Sequence, residues 1–374
     1  MTTVQTVVIV ILAIGVVQFL FFLFHWILYL GLVKFLAIQN PVLLKSLRIS
    51  LGLLSFVFVL ASLLSSRFSN IFVRLFYNFA ASWIGFFYFM FLAICFCWLV
   101  YGLSKLFGFS LDMKFLTGFL LVMAVAIGIY GIINANATRL TKISVKLPNL
   151  PQSWQGKTAV WISDMHFGQV RGYGFAKKIA DKIIKLNPDI VFIGGDLYDG
   201  MTADLDKFSE PFSLVKPPQG IYFVTGNHEE IGDNAKYLEA VREANIIVLN
   251  NEMVNLDGLQ IIGVDYRDAK GQDNLKSILN LLHINKNQPS ILLKHEPFDI
   301  QAAQEAGVSL EVCGHTHQGQ VFPINFINRL IYSGYNSGFK KLGDMIVYIS
   351  SGVGTWGPPM RVGSNPEILE ITFK

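Results

Sequence analysis

Four stretches of the chain, residues 1–33, 49–66, 75–104 and 115–138, contain no Asp, Glu, Lys or Arg. Crossing about 30 Å of hydrocarbon takes roughly 20 apolar residues in a helix, and a charge at the bilayer centre is costly. The runs therefore predict a multi-pass helical membrane region over residues 1–140, with about four spans near 4–33, 49–66, 75–104 and 115–138. The first run has no basic start and no small-residue cleavage site after it, so it reads as a retained helix rather than a signal peptide. Trp26, Trp83 and Trp98, with Tyr29, Tyr77 and Tyr101, fall towards the ends of the runs. Amphipathic rings suit the headgroup layer there.

Charge divides the chain at the same place. Residues 1–140 carry eight Lys/Arg and one acid, Asp112, whereas residues 141–374 carry 22 basic and 25 acidic groups. The overall +4 thus describes neither part. A slightly acidic second part lacks the basic stripe that phosphate-backbone binding needs, so nucleic acid is not an expected partner. Basic residues are evenly split between the two sides of a four-span topology. The first helix has no Lys/Arg before it and Lys34 after it, which favours both termini, and the catalytic part with them, outside the cytoplasm. His25 lies beside Trp26 near the end of the first run and reads as a helix-packing or interfacial residue. Cys95 and Cys97, in an apolar run, read as packing thiols, since no Cys or His partner lies near them, and the three cysteines with Cys313 imply no disulfide framework. With no intramembrane Asp, Glu, Lys or Arg, the helices read as an anchor rather than a transport path.

Beyond Arg139 the periodicity changes. Pro148 and Pro151 suggest a linker over 141–154, followed by one domain over 155–374. Short β-rich runs are expected at Thr158–Ser163, Ile190–Ile193, Gly220–Val224, Leu259–Val264, Ile291–Leu293, Leu310–Val312 and Met345–Ile349, with helices such as Phe175–Leu186 and Ala235–Ala244 between them. Strands alternating with helices predict an α/β domain with some antiparallel pairs added.

The chemistry sits where these strands end. Asp164-Met165-His166 follows the first, Gly194-Gly195-Asp196 the second and Gly226-Asn227-His228 the third. His295 and then Gly314-His315-Thr316-His317 follow two later strands. Ligands of open α/β sheets bind at the carboxyl ends of strands, so these loops are expected to converge. Imidazole, carboxylate and an amide oxygen together suit first-row divalent ions such as Mn, Fe or Zn. Alternate residues of an extended backbone face the same way, so Asp-x-His and His-x-His each offer two donors to one side. Any one of these pieces alone reads as a turn; five of them in order at strand ends do not.

The five blocks resemble those of the calcineurin-like metallophosphoesterases: Ser163-Asp-Met-His-Phe-Gly, Gly194-Gly-Asp, Gly226-Asn-His-Glu, Lys294-His-Glu-Pro and Cys313-Gly-His-Thr-His-Gln-Gly-Gln. The C-terminal Gly352-Val-Gly-Thr and Pro359-Met-Arg-Val-Gly look like the subgroup with membrane helices before the catalytic domain. The resemblance covers about 150–374 and implies a double β-sandwich flanked by helices. It implies two divalent metal ions, with Asp164, His166 and His317 on one, Asn227, His295 and His315 on the other, and Asp196 bridging. It further implies hydrolysis through a metal-bridging hydroxide, with His228 near the leaving-group oxygen as a catalytic residue. Glu229, Thr316 or nearby backbone carbonyls are expected to orient ligand histidines, and Asp199 to be a turn residue. Arg171 and Arg361 are candidate substrate-binding groups through their planar forks. His283 reads as a helix residue.

These features predict a membrane-anchored phosphoesterase acting on a phosphate ester or pyrophosphate bond. A substrate linked to a lipid in the same bilayer is favoured, because the anchor raises effective concentration there. The alternatives are a phosphodiesterase of soluble nucleotides and a non-catalytic membrane scaffold that keeps the metal site.

Overall fold

The computed structural model describes residues 3–199, 204–230 and 234–374. The chain divides into two compact units, residues 1–132 with 357–359 and residues 133–356 with 360–374. Each is described by itself.

The first unit is built on α1 (Thr3–Phe35), α2 (Pro41–Ser65), α3 (Ile71–Phe107) and α4 (Met113–Ala135). All four are long and apolar enough to cross a membrane. The helices differ from the charge-free runs at their ends, for local reasons. α2 begins eight residues before its run, because the Asn40 side chain accepts from the Val42 and Leu43 amides at 3.0 Å and Pro41 occupies the first turn. Lys45 and Arg48 therefore sit on the helix. α3 is capped by Asn70, which accepts from the Val73 amide, and stops at Gly108 in the left-handed region with φ 73°. α4 ends three residues before its run does. Within the bundle Leu28, Phe87, Ile94 and Cys97 are buried, and Cys97 Sγ rests 3.4 Å from Thr117 Oγ1. Phe72, Leu106 and Phe115 remain exposed, as a helix apolar all round requires in lipid.

The second unit runs β1 (Arg139–Val145), β2 (Thr158–Ile162), α5 (Tyr173–Leu186), β3 (Ile190–Gly194), α6 (Leu205–Ser209), β4 (Ile221–Val224), α7 (Asn234–Glu243) and β5 (Ile247–Val248). It continues through β6 (Glu252–Leu256), β7 (Leu259–Gly263), α8 (Gln272–Leu281), β8 (Ser290–Leu293), α9 (Ile300–Ala306), β9 (Leu310–Cys313), α10 (Ile324–Ile331), β10 (Gly338–Leu342), β11 (Met345–Ile349) and β12 (Glu367–Phe373). Two six-stranded sheets result, ordered β1-β12-β2-β3-β4-β5 and β10-β11-β9-β8-β7-β6. β2, β3, β4 and β5 are parallel, as are β7, β8, β9 and β11. Antiparallel pairings join β12 to β2, β6 to β7 and β10 to β11.

Alternation within the strands explains the layers. In β2, Val160 and Ile162 face a helix-side core with Ile179 and Ile183 of α5. Ala159 and Trp161 face the other way, into a core shared with Phe192, Leu293 and Val312 from both sheets. The second sheet packs its outer face on α8 and α9 through Leu275, Leu279 and Ala303. Burial on both faces is why these strands read as continuous apolar runs. The architecture is the helix-flanked double sandwich that the motifs imply.

The expected linker is a correction. Residues 139–145 form β1, paired in parallel with β12 from Arg139↔Glu367 to Val145↔Phe373. Trp154 is fully buried, with Nε1 donating to Leu256 O at 2.7 Å. β1 carries only a short alternation, Thr141, Ile143 and Val145 inward with Lys142 and Ser144 outward, and it is held by a partner more than 220 residues away. The domain therefore starts near Arg139 rather than at residue 155.

Candidate metal centre

β2, β3, β4, β8 and β9 run parallel within their sheets, and each loop that carries a predicted ligand leaves the carboxyl end of one of them. Sharp turns keep the donors close to those ends. Asp164, His166, Asp196, His315 and His317 all have positive φ, between 47° and 69°. Such backbone is uncommon outside glycine and persists where the surroundings over-determine it. Gly195, at φ 81°, shows how tight the packing is: a Cβ there would lie 2.6 Å from Gly226 N and 2.8 Å from His295 Nδ1.

All seven predicted ligands converge. On one side His166 Nε2 lies 3.0 Å from His317 Nε2, with Asp164 Oδ1 3.6 Å from the latter. On the other, His295 Nε2 lies 3.2 Å from Asn227 Oδ1 and 3.1 Å from His315 Nδ1. Asp196 Oδ2 lies between them, 3.2 Å from His295 Nε2 and 3.8 Å from His166 Nε2. The carboxylates are fixed by backbone donors: His315 N donates to Asp164 Oδ1 and His228 N to Asp196 Oδ1, both at 2.9 Å.

The donor chemistry tests whether a cation fits. His295 Nδ1 donates to the Gly194 carbonyl at 2.7 Å, and His315 Nε2 faces the Glu296 carboxylate at 3.3 Å. These outer partners place the protons on the far ring nitrogens and leave bare lone pairs on His295 Nε2 and His315 Nδ1. With His295 neutral, those two lone pairs, the Asn227 oxygen and the Asp196 carboxylate meet at one point with no hydrogen among them, a place that a proton on His295 Nε2 or a cation can fill. Only a positive charge reconciles four such acceptors, so the residues fit a divalent ion with mixed nitrogen and oxygen ligands.

The electrostatics agree. Burial pushes His166 down to about 4 and His315 down to about 3, with His295 adding to the latter. His317 is held well below its ordinary value by burial, His166 and Arg361. Neutral imidazoles are the form that binds metal. Burial also opposes charge on His295, yet Asp196 outweighs it and raises His295 to about 10. Asp196 is correspondingly held far below the carboxylate range, against its burial, chiefly by His295. Both shifts express the same need for positive charge among the lone pairs.

His228 stands at the rim. Its Nδ1 is 3.2 Å from Asp199 Oδ1, and its ring meets His166 edge-on at 4.5 Å. Burial disfavours its charged form, but the Asp199 hydrogen bond and the Asp196, Asp199 and Glu229 charges outweigh that, and its pKa is raised. Asp199 is thus a partner of the candidate acid rather than a turn residue alone. The spacing Asp196-x-x-Asp199 was the available signal.

Several expected roles shift. Arg361 is fully buried, and its guanidinium donates to the carbonyls of Gly354, Ser351 and Gly352, with Nη2 3.1 Å from His317 Nδ1. It positions His317 and has no fork left for a substrate. Arg171 is also buried, donating to Asn136 Oδ1 at 2.8 Å and Ala135 O at 3.0 Å and lying over the Phe175 ring. Glu229 orients no imidazole: its carboxylate accepts the amides of Asp196, Leu197 and Gly226 at 2.7–2.9 Å, gathering two ligand loops. Thr316 Oγ1 donates to Asn336 O and accepts from Gln318 N. Glu296, the third residue of the Lys294-His-Glu-Pro block, faces His315 instead. His283 lies just past the end of α8, away from this site, with φ 50°.

Comparison with known proteins gives the same outline. A family model described as calcineurin-like phosphoesterase matches residues 158–319. A transmembrane protein with metallophosphoesterase domain from Danio rerio is 30% identical over 272 residues, which are 68% of this chain and 62% of that protein. An uncharacterized metallophosphoesterase of Aquifex aeolicus is 32% identical over 261 residues, 67% of this chain and 98% of that protein. One from Campylobacter jejuni is 31% identical over 262 residues, 68% of each. The chain spans 62% of the zebrafish protein and 58% of a similar one from Helicobacter pylori.

Proposed function

This chain belongs to the calcineurin-like phosphoesterase family, and from that premise we propose that it is a membrane-anchored, metal-dependent hydrolase of a phosphate ester or pyrophosphate bond in a lipid-linked substrate. The observation that carries the hydrolase reading is the meeting of four bare lone pairs at His295, His315, Asn227 and Asp196, beside the pair of imidazole nitrogens at His166 and His317. Asp164, His166 and His317 would hold one ion, Asn227, His295 and His315 a second, with Asp196 shared.

Divalent ions there would supply the Lewis acidity and charge neutralisation that displacement at phosphorus needs. The chain supplies the rest. Glu229 holds the Asp196 and Gly226 loops at fixed separation, Gly194 O and Glu296 fix two imidazole tautomers, and Arg361 steadies His317. His228, raised in pKa and paired with Asp199 through Nδ1, would give its Nε2 proton to the departing oxygen. No side-chain nucleophile is required.

The four spans support the lipid-linked reading: they hold the domain at the membrane surface, where a substrate in the same leaflet is at high effective concentration. The test is hydrolysis by the full chain in detergent with Mn²⁺, on phosphomonoesters, phosphodiesters and lipid-linked pyrophosphates. Turnover that requires metal and disappears with chelator is expected, with preference for the lipid-linked compounds. No turnover of any ester by metal-loaded protein overturns the hydrolase reading, and preference for soluble nucleotides overturns the lipid one.

A further inference from the structure

The segment from Gln318 to Gly343 contains no Asp or Glu and three basic residues, Arg329, Lys340 and Lys341. At its centre, α10 is amphipathic in the reverse sense from α5. Helix α5 buries its apolar stripe, Ala176, Ile179, Ala180 and Ile183. Helix α10 buries none of its residues. It turns its polar side to the domain, with Asn328 Nδ2 3.3 Å from Thr316 O, and Asn325 against Gly319. Its apolar side faces outward: Leu330 is 80% exposed, Ile331 59%, Phe326 58% and Ile327 55%. Phe322 just before the helix is exposed as well, its ring 5.8 Å from that of Phe326. An apolar patch of this kind rimmed by polar residues marks an interaction surface.

We propose that α10 and its flanks form a bilayer-docking surface, with the apolar side in the acyl boundary of the membrane and Arg329, Lys340 and Lys341 on anionic headgroups. Three observations select lipid. A short helix with aromatic and aliphatic residues on one side and basic neighbours is the chemistry of interfacial insertion. Basic residues near an anionic leaflet are each worth about 1 kcal/mol, whereas a symmetric contact with a second copy would set the same cations against each other. Beside the helix, Gln318, Asn325, Phe326, Arg329, Asn336 and Lys340 line a cavity of about 250 Å³. It is polar and basic, as a lipid phosphate requires. The surface adjoins the metal centre, since Tyr332 after α10 packs its ring 6.2 Å from His315.

The proposal uses the membrane anchorage, not the identity of the ester, so its test and the hydrolysis assay can fail separately. Full-length protein carrying Leu330→Cys and Cys95→Ala, the latter removing the one native thiol that is not fully buried, is labelled with an environment-sensitive fluorophore. It is placed in nanodiscs of phosphatidylcholine and phosphatidylglycerol containing spin-labelled acyl chains. Roughly twofold or stronger quenching is expected at position 330. The same probe at Leu281→Cys, on exposed α8, should be unquenched. Lys340→Glu with Lys341→Glu should weaken the quenching at 330, as should high salt. Equal quenching at 330 and 281 overturns the proposal. So does energy transfer between labelled copies without quenching by lipid, which would make the surface a self-association site.

Discussion

Two histidine environments separate the halves of this molecule. His25, in α1, is buried and complete: its Nδ1 donates to Phe21 O at 2.7 Å, its Nε2 accepts from Trp83 Nε1 at 3.1 Å, and its ring stacks on Phe87 at 3.8 Å. Every polar atom has a complementary partner, so nothing more is wanted there. His295 is just as enclosed and His315 is partly so, but each has one nitrogen facing an outer partner and one aimed at other acceptors. Burial alone therefore does not mark function. What marks it is a set of buried acceptors that the protein leaves without a donor, which costs free energy unless a cation enters.

The largest test of that contrast is Asp196→Asn. Removing the charge shared by both clusters should bring turnover to the level of chelated wild type, with the helical circular dichroism of α1–α4 intact. Measurable Mn²⁺-dependent turnover in the variant would mean that the two clusters are not one site. Next comes His228→Asn. Loss of a positioned acid typically costs about 10²–10⁴-fold in rate. The loss should be smaller for esters with an acidic leaving group such as p-nitrophenol, which needs little protonation. Metal content should be unchanged, and a variant that loses metal would reassign His228 to ligation.

Much of this contrast was legible in the sequence, because both halves obey local rules. Charge-free runs identify α1–α4, and ligands placed at strand exits identify the site without any knowledge of the sheets. What stayed hidden depends on distant partners. β1 looks like a linker because its inward positions Thr141, Ile143 and Val145 make too short a pattern to stand without the pairing partner β12, at the other end of the chain. Arg171 and Arg361 have the residue type of phosphate binders, but only the fold shows Arg361 spent on backbone carbonyls and Arg171 buried against Asn136 and Ala135. Asp199 and Glu296 gain their roles from the imidazoles they meet, and a sequence records no such meeting. The same holds for α10: its amphipathic pattern is readable, but which side faces the domain is not.

A third prediction moves from the site to its support. Lys294 and Glu311 are buried beside the His295 loop, Nζ to Oε1 at 3.1 Å, with Nζ also donating to Phe298 O and Cys313 Sγ to Glu311 Oε1. Lys294→Met strands the Glu311 carboxylate, which costs about 3–5 kcal/mol when a buried pair is broken on one side. Lys294→Met with Glu311→Leu should recover most of that. Denaturation of the domain, followed by tryptophan fluorescence, reads both. Equal loss in the single and double variants would show that packing, not the stranded charge, sets the cost.

The smallest effect belongs to His25→Phe, and it is the sharpest test of the comparison because the residue type is the one that carries the chemistry elsewhere. The substitution keeps the stacking partner for Phe87 but leaves the Trp83 N–H without an acceptor. Side-chain hydrogen bonds between membrane helices are worth about 0.6 kcal/mol on average, since the unfolded reference state in lipid finds partners too. A loss of that order in the detergent stability of the helices is expected, with hydrolysis of a soluble ester unchanged at saturating metal. Were the rate to fall tenfold while the protein stayed folded, a complete hydrogen-bond set would no longer separate a packing histidine from a functional one. The division between a membrane-helix half and a half that holds the candidate metal site would then fail at the residue where it is clearest.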